Sequence, residues 1–361
     1  MGVTIEKMIT FEEVFTFEHL MECANECCKN VRWKSSTQLF EANKLSNVSM
    51  LHKQLMEGTW KSKGFTTFYI NERGKTRKIQ SVHITERCVQ KCYRKYCLEP
   101  LILPRILYRN CASIKGKGTD FAIMDFRQSL AHHIRKYGVT GGVLTGDIHN
   151  YFGSIPHERL EDMLKALPMD ERLYELGAYF IDCFDGEYGV GLGSEVDQSY
   201  GIYYLNPVDH YITEQLHIEG YIRYNDDFIG LCPDVNYLKS CIPIITDKIA
   251  ELGLEVNTKK TCVTELGREG FTFLKKRFDV SESGKIIMRL SRPNITHRRR
   301  RTKRQADILN SDIPTGRKNE LAKSMWQSLQ SWEGYAKHAD AYNAVSNARE
   351  QYNHLLFDEW R

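Results

Sequence analysis

GYIRYNDDFIGLC, residues 220–232, is the stretch on which the reading of this chain turns. Apolar and aromatic residues flank Asn225-Asp226-Asp227 on both sides, the pattern of two short strands joined by a tight turn. Such a hairpin carries two adjacent carboxylates at its tip. Upstream, GVLTGDI (142–148) reads as an apolar strand that ends on Asp147. If the two segments are neighbours, three acidic side chains converge. Converging carboxylates repel one another unless a cation stands between them, and Mg²⁺ takes hard oxygen ligands while leaving room for phosphate oxygens. Two such ions, roughly 4 Å apart, would lower the pKa of an attacking hydroxyl and stabilise a leaving phosphate. Phosphoryl transfer asks a protein mainly for that positioning and charge neutralisation.

Outward from this core, a third strand candidate is KIIMRLS (285–291), and helical patterns cover 158–167 and 237–252. Residues 11–60 carry helical periodicity, in Phe17, Leu20, Met21 and Ala24 and again in Leu51, Leu55 and Met56. Residues 66–84 alternate around the polar turn NERGKTRK, as a hairpin does. Residues 85–139 read as helical, with a break near Pro104 and the glycines at 116 and 118. Helices alternating with a few antiparallel-capable strands predict an α+β chain. From about Ser291 the chain is basic and then strongly helical, which predicts a small separate helical unit.

The 361 residues suffice for two or three subdomains, and 42% apolar with 11% aromatic residues excludes a disordered chain. No apolar run approaches the roughly 20 residues of a membrane span, and the polar start MGVTIEKMITFEE has no signal-peptide core. A cytoplasmic protein without a membrane partner is expected. Cys23, Cys27 and Cys28, like Cys88, Cys92 and Cys97, sit near helical spacing with no His-x-x-His partner. They read as buried thiols rather than zinc ligands or disulfides. Net charge is only +4, yet Lys285 to Arg304 holds nine Lys or Arg residues and no acid. That block is either the footprint of a polyphosphate partner or a solvated basic face.

With these motifs in this order, residues 15–355 resemble a bacterial reverse transcriptase of the group II intron-like, diversity-generating retroelement and defence-associated unknown-group kinds. The resemblance implies a right-hand polymerase. Fingers and an N-terminal extension would occupy 1–140, the palm with its antiparallel sheet 141–284 (fingers insertion about 155–205), and a basic connector and helical thumb 285–361. Asp147, in GDIHNYFGSIPHERL, matches the first catalytic Asp, and Tyr224-Asn225-Asp226-Asp227 matches the YxDD motif. All three Asp residues would hold two Mg²⁺ ions, with Mn²⁺ as a substitute. Ile148 and Phe152 would border the incoming nucleotide, with the Phe152 ring excluding a ribose 2′-hydroxyl; its alternative is core packing.

GLGSEVDQSYGIYYLNPVDHYI resembles motif B, with Gln198 at the glutamine near template and nucleotide, although Asp197 and Ser199 replace the usual Pro and Gly neighbours. RGKTRKI resembles the basic fingers hairpin, where Lys75 and Arg77 would meet the triphosphate. Arg87, in TERCVQKCYRKYCLEPL, matches a "DRxVQ" segment with Glu86 in place of Asp, and would contact template or fingers backbone or form a salt bridge. In GLEVNTKKT, similar to motif D, Lys260 would protonate the leaving pyrophosphate, with Lys259 as its rival. FTFLKKRF resembles the primer grip, with Leu274 and Phe278 packing, and LQSWEGYAKHADAY resembles the thumb, with Trp332 and Tyr335 in its core. Tyr224 and Arg298, Arg299, Arg300 and Arg301 would bind nucleic acid, the arginines through its backbone.

The resemblance implies an RNA-directed DNA polymerase working with dNTPs on a structured non-coding RNA, making cDNA in bacterial anti-phage defence. An accessory protein or a homo-oligomer is a further possible partner. No stretch resembles an RNase H, HNH endonuclease or integrase domain. The rivals are a mutagenic diversity-generating enzyme, a DNA- or RNA-dependent polymerase without true reverse transcription (template-independent or protein-primed), and a maturase-like RNA-binding module that has lost catalysis.

Overall fold

The computed structural model describes residues 7–72, 75–184, 186–191 and 193–357. Polar caps start its N-terminal helices. Thr10 and Glu13 form a capping box at α1 (Phe11–Val14), and the Thr16 hydroxyl accepts from His19 N at the start of α2 (Phe17–Cys28). Helices α3 (Ser35–Ala42) and α4 (Lys44–Met56) follow, and then a lone hairpin of β1 (Phe65–Glu72) and β2 (Lys75–Val82). Helix α5 (Ile84–Tyr93) runs through a π-helical turn (Arg94–Leu98) into α6 (Glu99–Ile102), and α7 (Thr119–Tyr137) comes after a loop.

The central sheet is antiparallel, in the order β4-β5-β3-β6. Its strands are β3 (Gly142–Asp147), β4 (Glu219–Tyr224), β5 (Asp227–Cys232) and β6 (Cys262–Glu265). Between β3 and β4 lie α8 (Tyr151–Ser154), α9 (His157–Lys165), α10 (Glu171–Asp182), α11 (Glu195–Tyr204) and α12 (Asn206–His210), the last running into a π-helical turn (Tyr211–Gln215). Helix α13 (Val235–Glu251) joins β5 to β6. Both faces of the sheet are covered. Leu144 and Phe228 join the larger core, while Val143, Ile222, Ile229 and Leu231 join a second core with Phe126 of α7. The period of two along each strand produces this division. Gly146 is opposite Phe228 in the register, and a Cβ there would stand 2.0 Å from the ring. Only glycine lets that ring cross β3.

A second antiparallel sheet, β7 (Phe271–Phe273), β8 (Lys276–Val280) and β9 (Ile286–Leu290), carries the chain toward its C-terminal helices. The β7–β8 turn places Leu274 and Lys275 in left-handed backbone, at φ 45° and 67°, without a glycine. Phe278 is fully buried and Leu274 packs beside the same core. Helices α14 (Arg292–Leu309), α15 (Thr315–Ala336) and α16 (Tyr342–Phe357) enclose their own core of Leu309, Met325, Leu329, Ala348 and Tyr352. Trp332 and Tyr335 pack at the seam with the β7–β9 sheet, and the Tyr335 hydroxyl donates to Leu274 O at 3.2 Å. The fold is thus α+β, with small antiparallel sheets among many helices.

All eleven cysteines are free thiols, and all but Cys183 and Cys262 are buried. Among the described residues, no helix is long and apolar enough to cross a membrane.

Candidate active site

Register brings the carboxylates together. Asp147, the last residue of β3, pairs with Asp227, the first of β5. Tyr224 pairs with Asp227 across the hairpin, so Asn225 and Asp226 form its two-residue loop. Asn225 adopts the left-handed region at φ 54°, a conformation that Asn tolerates better than most residues. The Ile148 amide donates to Asp226 O at 3.2 Å and fastens the loop to the end of β3. Strand order alone therefore puts Asp147, Asp226 and Asp227 at one end of the sheet.

Asp147 is 4% exposed. Its Oδ2 accepts from Lys260 Nζ at 2.6 Å and its Oδ1 from Asn257 Nδ2 at 2.7 Å, while Asn257 N donates to Asp147 O at 2.8 Å. Burial pushes the Asp227 carboxyl up to about 7, helped by the nearby charges of Asp226 and Asp147 and opposed by Lys260. Burial alone would lower the pKa of Lys260, but the hydrogen bond and charge of Asp147 outweigh it and raise the ammonium above its ordinary value. Lys260 therefore stays a protonated donor at neutral pH and acts as the counter-cation of Asp147. Among the described residues, no group of three or more His, Cys, Asp or Glu side chains is disposed to hold a metal ion. The backbone gathers the three Asp residues, while the Asp147 side chain is turned toward Lys260 and Asn257.

The other predicted residues fall into distinct environments. Phe152, in α8, is half-buried with its ring centroid 5.2 Å from that of Tyr151. Its ring lies against Gly201 of α11, where a Cβ would stand 2.6 Å away. Gln198 is the one exposed position between Val196 and Tyr204 on α11. The Ile148 side chain belongs to the core. Arg87 is half-buried and donates to Ser81 Oγ at 3.2 Å, which ties α5 to the end of β2. Neighbouring Glu86 is buried and accepts from the Ser62 hydroxyl at 2.5 Å. Lys75 and Arg77 belong to β2 by their backbone, but their side chains lie outside the described residues. Tyr224 is half-buried beside the second core.

The basic stretch divides. Arg299, Arg300 and Arg301 are exposed on α14, whereas Arg298 is 4% exposed and donates to Ser328 Oγ at 2.9 Å. Arg298 shares its helix face with Thr302, Ala306 and Leu309, the buried stripe of α14. The expectation that Arg298 lies along a nucleic-acid backbone is corrected: it packs inside the helical unit. Sequence reasoning also passed over Asn257, the second clamp on Asp147, although it stands three residues before Lys260 and caps the same turn. It missed the buried pair of Arg223 and Asp209 as well, which is 1% exposed on both sides with Nε 2.8 Å from Oδ1.

No protein-family model matches this chain, and no curated protein is similar enough to it to count as a match.

Proposed function

We propose that this protein is a reverse transcriptase, a right-hand polymerase that adds dNMPs to a 3′-hydroxyl on an RNA template and releases pyrophosphate. One observation carries the reading: the register pairs Asp147 with Asp227 and leaves Asp226 in the adjoining two-residue loop. Three carboxylates at one sheet end, one of them pushed up by burial and by the charge of the other two, are oxygen donors of the kind hard divalent cations take, and Asp147 would have to turn from Lys260 and Asn257 to join them. Mg²⁺ or Mn²⁺ held by Asp147, Asp226 and Asp227 would supply a lowered pKa for the 3′-hydroxyl and charge neutralisation at the phosphates.

The chain's own groups do the rest. Lys260, protonated beside Asp147, moves a proton to the leaving pyrophosphate. Phe152, held against Gly201, closes off the space a ribose 2′-hydroxyl needs. Gln198, the one exposed position between Val196 and Tyr204 on α11, presents its amide to the template–nucleotide pair. Lys75 and Arg77 take the triphosphate, and Arg299, Arg300 and Arg301 follow the nucleic-acid backbone from α14. The template is a structured non-coding RNA, and the setting is bacterial defence.

The test is to purify the protein with its co-expressed RNA, add dNTPs and Mg²⁺, and sequence both bound RNA and product. A discrete cDNA that disappears in the D226A/D227A variant supports the reading, and its sequence names the template. A tightly bound RNA with no cDNA would identify an RNA-binding module instead, the reading favoured by Lys260 closing on Asp147.

A further inference from the structure

We propose that Arg223 is a positioning residue that fixes the carboxylate loop against α11, an inference that rests on the polymerase reading. Each of its three guanidinium nitrogens donates a hydrogen bond. Nε donates to Asp209 Oδ1 and Oδ2 at 2.8 and 2.9 Å, Nη1 to Asn225 O at 3.1 Å, and Nη2 to Ile202 O at 2.6 Å. Tyr221 adds its hydroxyl to Asp209 Oδ1 at 2.7 Å, and Asn110 adds its amide to Ile202 O at 3.3 Å. One side chain thus joins three elements: the loop that carries Asp226, the C-terminal turn of α11, and α12.

The geometry says what this does. Asn225 stands in left-handed backbone, and its carbonyl is the atom by which Arg223 grips the loop. Ile202 lies one helical turn beyond Gln198, so the second arm of the fork holds the helix that presents Gln198. Arg223 sets the separation between the Asp pair and the Gln198 helix. A buried ion pair is a poor stability device, since apolar side chains of similar volume often match or exceed it. Arg is nonetheless the side chain that can answer a carboxylate and two carbonyls at once, through a rigid planar fork. Lys keeps the charge but loses the fork.

R223K separates positioning from charge compensation. The ammonium still answers Asp209, so the variant folds, but it holds Asn225 O and Ile202 O no longer. A positioning role predicts that kcat for dNTP incorporation falls about 100-fold, the cost of roughly 1 Å of misplacement, with the dNTP KM and RNA affinity within threefold of wild type. It also predicts faster amide hydrogen exchange at residues 224–227, a readout that needs no activity. Wild-type kcat and wild-type exchange in R223K would overturn the proposal, because charge compensation is all that Lys preserves. The double variant R223M/D209L, which removes the pair without stranding a charge, guards against a folding defect in R223K. It is expected to fold, with the same loop exchange and the same kcat loss, and a folded double variant with unchanged exchange would overturn the proposal equally. If the wild-type protein makes no cDNA, the polymerase reading fails by itself, and the exchange measurement still decides whether Arg223 holds the loop.

Discussion

Lys260 closes on Asp147, its Nζ 2.6 Å from Oδ2, while Asn257 holds the other carboxylate oxygen at 2.7 Å. Lys260 is mostly exposed and Asp147 is almost wholly buried, so the ammonium reaches inward from the rim to a fixed acceptor. On the proposed polymerase reading, a donor so placed would serve as a general acid at the edge of the site. K260A is expected to lower kcat for nucleotide addition about 100-fold, the typical worth of one positioned proton donor, with a smaller change in dNTP KM. N257A, which frees one Asp147 oxygen but leaves the proton donor, is expected to cost less. Steady-state kinetics on a homopolymer template and primer decide between them, and an unchanged kcat in K260A would return Lys260 to a counter-ion role.

The Asp227 carboxyl is pushed up to about 7 by burial and by the nearby charges of Asp226 and Asp147. D227N keeps the size of the side chain and removes the charge that its neighbours oppose. The variant is expected to lose dNTP incorporation completely while its thermal stability holds or rises, since the like-charge repulsion is relieved. RNA affinity is expected to stay within threefold of wild type. Differential scanning calorimetry beside a primer-extension assay checks both, and retained incorporation would remove Asp227 from the catalytic set.

Phe152 rests on Gly201, and this contact fixes where its ring edge lies. F152A is expected to narrow the preference for dNTPs over rNTPs by 10-fold or more, in the range of about 10–200-fold by which apolar pockets discriminate one small group. G201A tests the same ring from behind, because its added Cβ would force the Phe152 ring to shift. It is expected to change the dNTP-to-rNTP ratio without abolishing synthesis. Single-nucleotide incorporation with paired dNTP and rNTP substrates measures both, and an unchanged ratio in F152A would make Phe152 a packing residue.

Much of this arrangement could be read from the chain itself. The strand–turn–strand pattern of 220–232 placed the turn at Asn225-Asp226-Asp227, one residue longer than the loop observed because Asp227 already opens β5, and the apolar run ending on Asp147 supplied its neighbour. Both signals are local, a period of two and a turn-forming step, and local signals survive into the fold. What stayed hidden depends on partners distant in sequence or on the direction of one side chain. Asp209 meets Arg223 across a π-helical turn that no periodicity announces. The β7–β8 turn uses Leu274 and Lys275 in left-handed backbone, where turn chemistry would look for Asn or Gly. Arg298 was grouped with its charged neighbours, although its 3.6-residue spacing to Thr302, Ala306 and Leu309 marks a buried stripe. Charge ranked above periodicity there, and periodicity prevailed.

That division of the basic stretch has a direct consequence. Arg299, Arg300 and Arg301 face solvent, so replacing all three by Gln is expected to weaken nucleic-acid binding and flatten its salt dependence. Each lost phosphate contact removes about 0.9 from the slope of log affinity against log salt for a duplex. R298Q is expected to do the opposite, lowering the thermal midpoint through the lost Ser328 contact and leaving the slope alone. Fluorescence anisotropy over a salt series separates the two, and an unchanged slope in the triple variant would make that face merely solvated.

Lys276 sits where β8 meets the C-terminal helices, 1% exposed, donating to Tyr335 O with its Nζ 3.7 Å from the centre of the Tyr335 ring. Burial pulls its ammonium down to about 8 from an ordinary 10.5, with Asp120 opposing weakly. The unfolded chain holds this proton up to about 10.5, whereas the folded protein releases it near 8, so between these values the unfolded state binds more protons. The Lys276 contribution to stability therefore rises with pH through that window, and its cost is greatest below 8. K276M removes the titration. The difference in thermal midpoint between K276M and wild type is expected to favour K276M most at pH 7 and to shrink by several degrees toward pH 10. Other groups that titrate over the same range are common to both proteins and cancel in that difference. A difference that does not move with pH would mean that Lys276 keeps an ordinary pKa in the folded protein.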